Sequence, residues 1–217
     1  VIFVEMNTSN LDLFSQKGAL VAKDVTPWQT FSGKGMKFHL QSYDWNGCAC
    51  LSYLTMRAFL GVMKMETLIC TPYAKDLPLY SYDLISAFGK RILIVEVYDT
   101  QLNPVDLSAM QAVKDTYRDL KDKPLKPAWY YNLRLPPSTA KVGAASRLSA
   151  LVTEMTSAYI DMFSTASNVD SAAKTTRNRI YVEGLISNGG PAFDTISKML
   201  GVEAAKTLFR RYIFGTE

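Results

Sequence analysis

The chain has 217 residues, 48% of them hydrophobic and 20% charged, with a formal net charge of +4. This composition suits one globular domain over residues 1–217 with a good core, and no apolar run approaches the roughly 20 residues a bilayer span requires. The basic residues are dispersed rather than run together, so no nucleic-acid-binding tail is signalled; the mild positive charge suits an acidic protein partner or an anionic substrate.

The opening "VIFVEMNTSN" has no basic stretch ahead of an apolar one, so no retained secretory signal is expected. Residues 1–33 mix short apolar groups with "NTSN", "SQKG" and "SGKG", which predicts irregular structure with at most one short strand. From Met36 the pattern changes. "MKFHLQSYDW", "CACLSYLTMRAFLG" and "VMKMETLICTPY" alternate with period two and are rich in aromatic and branched residues, which predicts strands. Asn46-Gly47 between the first two is a hairpin turn signal. "KDLPLYSYDLISAFGKRILIVEVYDT" adds two more strands meeting at Gly89.

After Pro104 the period becomes helical through "PVDLSAMQAVKDTYRDLKDK". "KPLKPAWYYNLRLPPS" reads as a proline-bounded extended segment, and three helices are predicted over about 143–166, 169–187 and 191–213. Pro191 suits the first turn of the last one. Five or six consecutive strands, hairpin-connected and therefore antiparallel, followed mainly by helices, predict an α/β (α+β) protein: a three-layer α/β/α sandwich around a central antiparallel sheet.

Chemistry-bearing motifs are few. No G-x-G-x-x-G, Walker A or G-x-S-x-G segment is present, and one histidine, His39, leaves a Ser-His-Asp triad a single possible base. Gly184, Gly189 and Gly190 read as breaks rather than a phosphate cradle. Three cysteines argue against a disulfide framework; Cys48, Cys50 and Cys70 are expected as apolar core residues of a soluble intracellular protein. Carboxylates remain. Asp83 sits among Tyr80, Tyr82, Leu84 and Ile85 with no basic neighbour in sequence, where desolvation is costly. It is either a strand aspartate bonded to its surroundings or an acid facing a pocket. Glu66, preceded by "MKM", is either a second acid of that pocket or a solvent-facing residue.

The segment "ETLICTPYAKDLPLYSYDLISAFGKRILIVEVYD", with Pro72, Asp76-Leu77-Pro78 and Asp83 in ungapped spacing, resembles the ferredoxin-dependent bilin reductases, whose broader superfamily includes red chlorophyll catabolite reductase. "PAFDTISKMLGVEAAKTLFRRYIFG" is similar to that family's closing helix, and "YYNLRLPPS" to its short arginine-bearing strand. The resemblance implies an α/β/α sandwich with a linear tetrapyrrole such as biliverdin between the sheet and the C-terminal helices. It implies no bound flavin, metal or nicotinamide, electrons delivered singly by ferredoxin, and protons from the protein as bilin radicals form. It implies a soluble monomer of the cytoplasm, or of the plastid stroma in a photosynthetic eukaryote.

On that resemblance Asp83 is the central proton donor with Glu66 as its assistant. Arg134 pairs with a propionate, with Arg57 a second candidate. Ferredoxin docking would fall to Lys121, Lys123, Lys126, Arg177, Arg179, Arg210 and Arg211. Where many members carry a second aspartate before the last helix this chain has Gly190, with Asn188 and Asp194 nearby as substrate-binding candidates. That departure keeps open a non-catalytic tetrapyrrole carrier, or a reductase of a linear chlorophyll catabolite.

Overall fold

The first 33 residues depart from the irregular structure expected of them. In the computed structural model, which describes residues 2–26 and 28–217 and side chains from residue 10 onward, a helix α1 spans Ile2–Lys17. Two short strands follow, β1 (Leu20–Ala22) and β2 (Thr30–Gly33). No apolar stripe marks α1 in the sequence; tertiary anchors hold it instead. Phe14 is fully buried edge-on to Trp45, and Asn10 donates to the Tyr82 hydroxyl at 3.0 Å.

The period-two stretches form the expected strands: β3 (Met36–Trp45), β4 (Ala49–Ala58), β5 (Met63–Pro72), β6 (Leu79–Ala87) and β7 (Lys90–Tyr98). Each pairs antiparallel with the next. Asn46 and Gly47 both have positive φ, as a tight hairpin turn demands, and Phe88-Gly89 repeats the device between β6 and β7. The chain continues through α2 (Ser108–Thr116), β8 (Lys121–Asp122) and β9 (Thr139–Val142). The sheet has nine described strands in the order β1-β3-β4-β5-β6-β7-β9-β8, with β2 also on the β3 edge.

The helix predicted after Pro104 is shorter than its periodic stretch, because β8 takes over at Lys121. The segment predicted as extended contains a 3-10 turn, Trp129–Leu133. Three longer elements complete the chain: α3 (Ala145–Thr165), α4 (Ser171–Asn188) and α5 (Pro191–Leu200). The last predicted helix is broken at Gly201, whose φ of 86° favours glycine; α6 (Val202–Thr207) and a π-helical turn (Leu208–Ile213) follow. Helices α1 to α3 cover one face of the sheet, and α4 to α6 with the π-turn cover the other.

Alternation along each strand sorts residues between these layers. Leu68, Tyr80, Tyr82, Leu93 and Val95 point into the α3 core, all at most 1% exposed. Asp76-Leu77-Pro78 sets the start of β6. The Asp76 carboxylate accepts from the backbone of Leu102 (2.6 Å) and Asn103 (3.0 Å), Leu77 is fully buried, and the Pro78 carbonyl accepts from Tyr159 (2.8 Å). The motif is a structural clamp.

Candidate functional site

Between the sheet and the α4–α6 layer lies a cavity of about 830 Å³. Such a volume falls at the upper end of small-molecule pockets. Its sheet wall comes from the alternate residues of β3 to β7 that do not enter the α3 core. Met36, Met56, Met63 and Met65 form much of it, an apolar surface of flexible thioethers that adapts to a large ligand. The helix wall comes from Tyr181, Phe193, Ile196 and Phe209, the last two aromatic rings packed edge to face at 5.2 Å.

Asp83 projects into this cavity from the middle of β6. The register places it directly opposite Thr67 on β5 and Ile94 on β7. The Thr67 hydroxyl donates to Asp83 Oδ1, and no cation pairs with the carboxyl among the described residues. The residue is half-buried in the sheet and lines the cavity. Burial therefore holds its pKa above the ordinary carboxylate value, with the Thr67 hydrogen bond opposing the shift. A carboxyl so placed keeps a proton longer than a surface aspartate and presents it to whatever fills the cavity.

A second acid, Glu96, lines the same space. It stands opposite Ser81, one ladder step from Asp83. Burial pushes its carboxyl up to about 7; the Tyr98 hydroxyl and Arg134 oppose this, and the neighbouring Asp83 charge adds to it. Arg134 Nε lies 3.6 Å from Glu96 Oε1, close enough for charge attraction but too long for a hydrogen bond. Beside Glu96 and Tyr181 is the buried hydroxyl of Tyr98, near enough to both to influence their protons but without a well-aligned hydrogen bond among the described residues. Sequence reasoning missed Glu96, although it is the one acid in "RILIVEVY" and the two-residue turn at Phe88-Gly89 sets its parity with Asp83.

Glu66 is not brought to Asp83. It pairs with Leu84 and Thr55, so parity turns it onto the α3 face, where it is 5% exposed. Arg57 shares that outward parity, exposed between Lys37 and Lys64. His39 also lies on that face and bonds Thr30 at 3.3 Å. Asn188 and Asp194 are exposed and do not line the cavity; Gly190 and Pro191 line it instead. Arg134 lies at the cavity's side, bridged through its backbone to Tyr98. Of the basic residues expected to dock a partner, Arg210 is held bidentately by Glu183, Arg179 by the Thr216 carbonyl and Arg177 by Asp99. Lys121, Lys123, Lys126 and Arg211 are exposed.

Gly184 is not a break. A Cβ there would lie 2.2 Å from the Trp129 ring, so only glycine lets Trp129 lie against α4. Trp129 Nε1 then donates to the Gly189 carbonyl at 2.8 Å, which fixes the turn carrying Tyr130, Tyr131 and Arg134. At the cavity mouth, Phe59 and Leu60 adopt left-handed φ values of 51° and 54°, with Phe88 at 50° on the adjacent hairpin. Leu60 is fully exposed, and the Phe59 and Phe88 rings stand 6.1 Å apart.

No protein-family profile matches the chain, and no curated protein matches it by sequence. Its structure is similar to that of phytochromobilin synthase from tomato, solved in complex with biliverdin: TM-score 0.80 at 11% identity, covering 99% of this chain and 83% of that one. The two share a fold. Among the described residues, no helix is long and apolar enough to cross a membrane.

Proposed function

We propose that this protein belongs with the ferredoxin-dependent bilin reductases: it binds a linear tetrapyrrole in the cavity and reduces it, Asp83 supplying a proton. The observation that carries this reading is the Asp83 carboxyl itself, buried, without a cationic partner among the described residues and aimed into a large apolar space. The fold shared with an enzyme solved with biliverdin supports the choice of ligand.

Reduction of one double bond consumes two electrons and two protons. Ferredoxin, a one-electron carrier, delivers the electrons in two steps, and the first leaves a bilin radical. Adding an electron to the conjugated system makes its nitrogens and carbons more basic, so a nearby neutral carboxyl protonates it readily. Asp83 gives up that proton and the Thr67 hydroxyl stabilises the carboxylate left behind. Glu96 is a second acid within the same space, and the Tyr98 hydroxyl beside it can bond a polar edge of the ligand. Arg134 beside Glu96 suits a ligand carboxylate, since its planar fork pairs with one bidentately.

A second reading, a tetrapyrrole carrier without turnover, draws on the helix wall. Gly190 and Pro191 stand there, and no carboxylate from α4 or α5 lines the cavity. An anaerobic mixture of protein, biliverdin, ferredoxin and a reducing system, followed by absorption spectra, separates the two. Movement of the bilin band to shorter wavelength with time establishes the reductase. A stable red-shifted complex establishes the carrier, and an unchanged spectrum removes both.

A further inference from the structure

A second, smaller recess of about 340 Å³ opens beside the cavity, and Leu125 and Tyr131 belong to the walls of both. Its lining is polar: Lys114, Lys123 and Arg134 face it, with Asp122 as the acidic counterpart. Asp122 is already committed to Lys141 at 2.7 Å. Lys114 spends one bond on the Pro136 carbonyl at 2.5 Å and keeps further donors. The recess is thus lined by three cations and an acid that another lysine neutralises, which favours an anion.

Arg134 stands between the two spaces. Its backbone is tied to the end of β7, its guanidinium lies over the Tyr131 ring at 5.0 Å, and its buried Nε makes no hydrogen bond among the described residues. That Nε is nonetheless the closest cationic atom to Glu96, at 3.6 Å. One guanidinium therefore lines the recess while offering a loose ion pair to an acid of the cavity.

We propose that the recess is a carboxylate-binding subsite whose occupant competes with Glu96 for Arg134, so that filling the recess loads Glu96 with a proton. A carboxylate bonded bidentately to a guanidinium is held more strongly than one at a distance beyond hydrogen bonding. Once Arg134 is taken, Glu96 has no other ion-pair partner among the described residues. The groups that face it are Asp83 on β6, Tyr98 on its own strand, Tyr130 and Tyr131 on the 3-10 turn, and Tyr181 on α4. The Tyr98 hydroxyl supports the Glu96 carboxylate, but burial, the largest influence, and the Asp83 charge both favour its protonated form once Arg134 is withdrawn. Linkage makes the effect reciprocal: a protonated Glu96 frees Arg134 for the anion. The natural carboxylate, as a side arm of the ligand in the cavity, rests on the function proposed above; the coupling between recess and acid does not.

The test uses propionate as probe, with chloride at equal ionic strength as control. The Glu96 carboxyl is followed by 13C NMR in glutamate-labelled protein, its signal identified by its loss in Glu96→Gln. Saturating propionate should raise the proton affinity of Glu96 about tenfold, the scale expected when one close opposite charge is withdrawn. Chloride should leave it unchanged. Lys123→Ala, at an exposed position, should weaken propionate binding without moving the Glu96 titration of the free protein, and Arg134→Gln should abolish the response. A Glu96 signal indifferent to bound propionate, or no propionate binding at all, overturns the proposal. A second arm compares biliverdin with its dimethyl ester in weakly buffered solution. Proton uptake with the acid alone supports the coupling, and equal uptake with both sinks it. If neither compound binds, the bilin reading fails and the propionate result still decides the coupling.

Discussion

The two faces of the central sheet are built from the same five strands, yet they differ in how they treat polar groups. On the α3 face three buried tyrosines are satisfied: Tyr80 bonds Thr156 at 2.9 Å, Tyr82 accepts from Asn10 at 3.0 Å and Tyr159 donates to the Pro78 carbonyl at 2.8 Å. On the α4 face the Tyr98 hydroxyl has no well-aligned hydrogen bond among the described residues, Glu96 holds Arg134 only at 3.6 Å, and Asp83 faces open space. Leaving buried polar groups unsatisfied costs roughly 1–3 kcal/mol each. One face carries stability, and the other gives some of it up to keep reactive groups available. Because side chains alternate, each strand serves both purposes without compromise in its ladder.

The sharpest way to break this comparison is to make the same change on both faces. Asp83→Asn removes a cavity acid and should slow bilin reduction by about 10²–10⁴-fold, the usual worth of a positioned general acid, while bilin binding persists. Glu66→Gln, an equivalent change on the α3 face, should leave turnover at the wild-type rate. Anaerobic spectra measure both, and equal losses would dissolve the distinction. Stability should show the reverse asymmetry. Leu93→Ala, fully buried on the α3 face, should cost about 2–5 kcal/mol in urea unfolding. Met65→Ala, which lines a space that is already open, should cost less and act on ligand affinity instead.

Gly184→Ala probes the close contact between α4 and Trp129. The new methyl collides with Trp129, so a loss of about 1–3 kcal/mol is expected, with a change in Trp fluorescence as the ring is displaced. Stability should also depend on pH. Glu96 titrates at about 7 in the fold against an ordinary 4.5, so the folded state binds the extra proton. Its contribution to stability is then full below about pH 4.5 and is lost as pH rises through about 7. Urea midpoints across that window should fall with pH by less in Glu96→Gln than in the wild type.

The hairpin ladder from Met36 to Tyr98 was legible because period-two alternation, Asn46-Gly47 and Gly89 are local signals that the register obeys. Helix α1 was not, since Phe14 and Asn10 find their reasons for being helical in Trp45 and Tyr82, far along the chain. The site divided in the same way. Asp83 facing a pocket came from the family resemblance, since its apolar strand alone left a bonded strand aspartate open, and Glu96 could have been placed through the short turn that fixes its register to Asp83. Glu66 was drawn to the wrong face because six residues separate β5 from β6, and a connection of that length does not transmit parity. The roles of Gly184 and Arg134 depend on Trp129 and Glu96, neighbours that only the folded chain supplies.

The hairpin tips at the mouth carry a consequence for time rather than affinity. Phe59, Leu60 and Phe88 hold left-handed backbone, a conformation that costs non-glycine residues about 1–3 kcal/mol each, and they hold large apolar side chains out in water. On the function proposed above, a bilin arriving from solution would meet this apolar threshold first, and because Phe59 and Leu60 also line the cavity, capture would be hastened at its entrance. On the same reading the product would cross this threshold on departure. Association and residence are thereby set partly at the doorway, and they can be altered there without touching an acid of the interior.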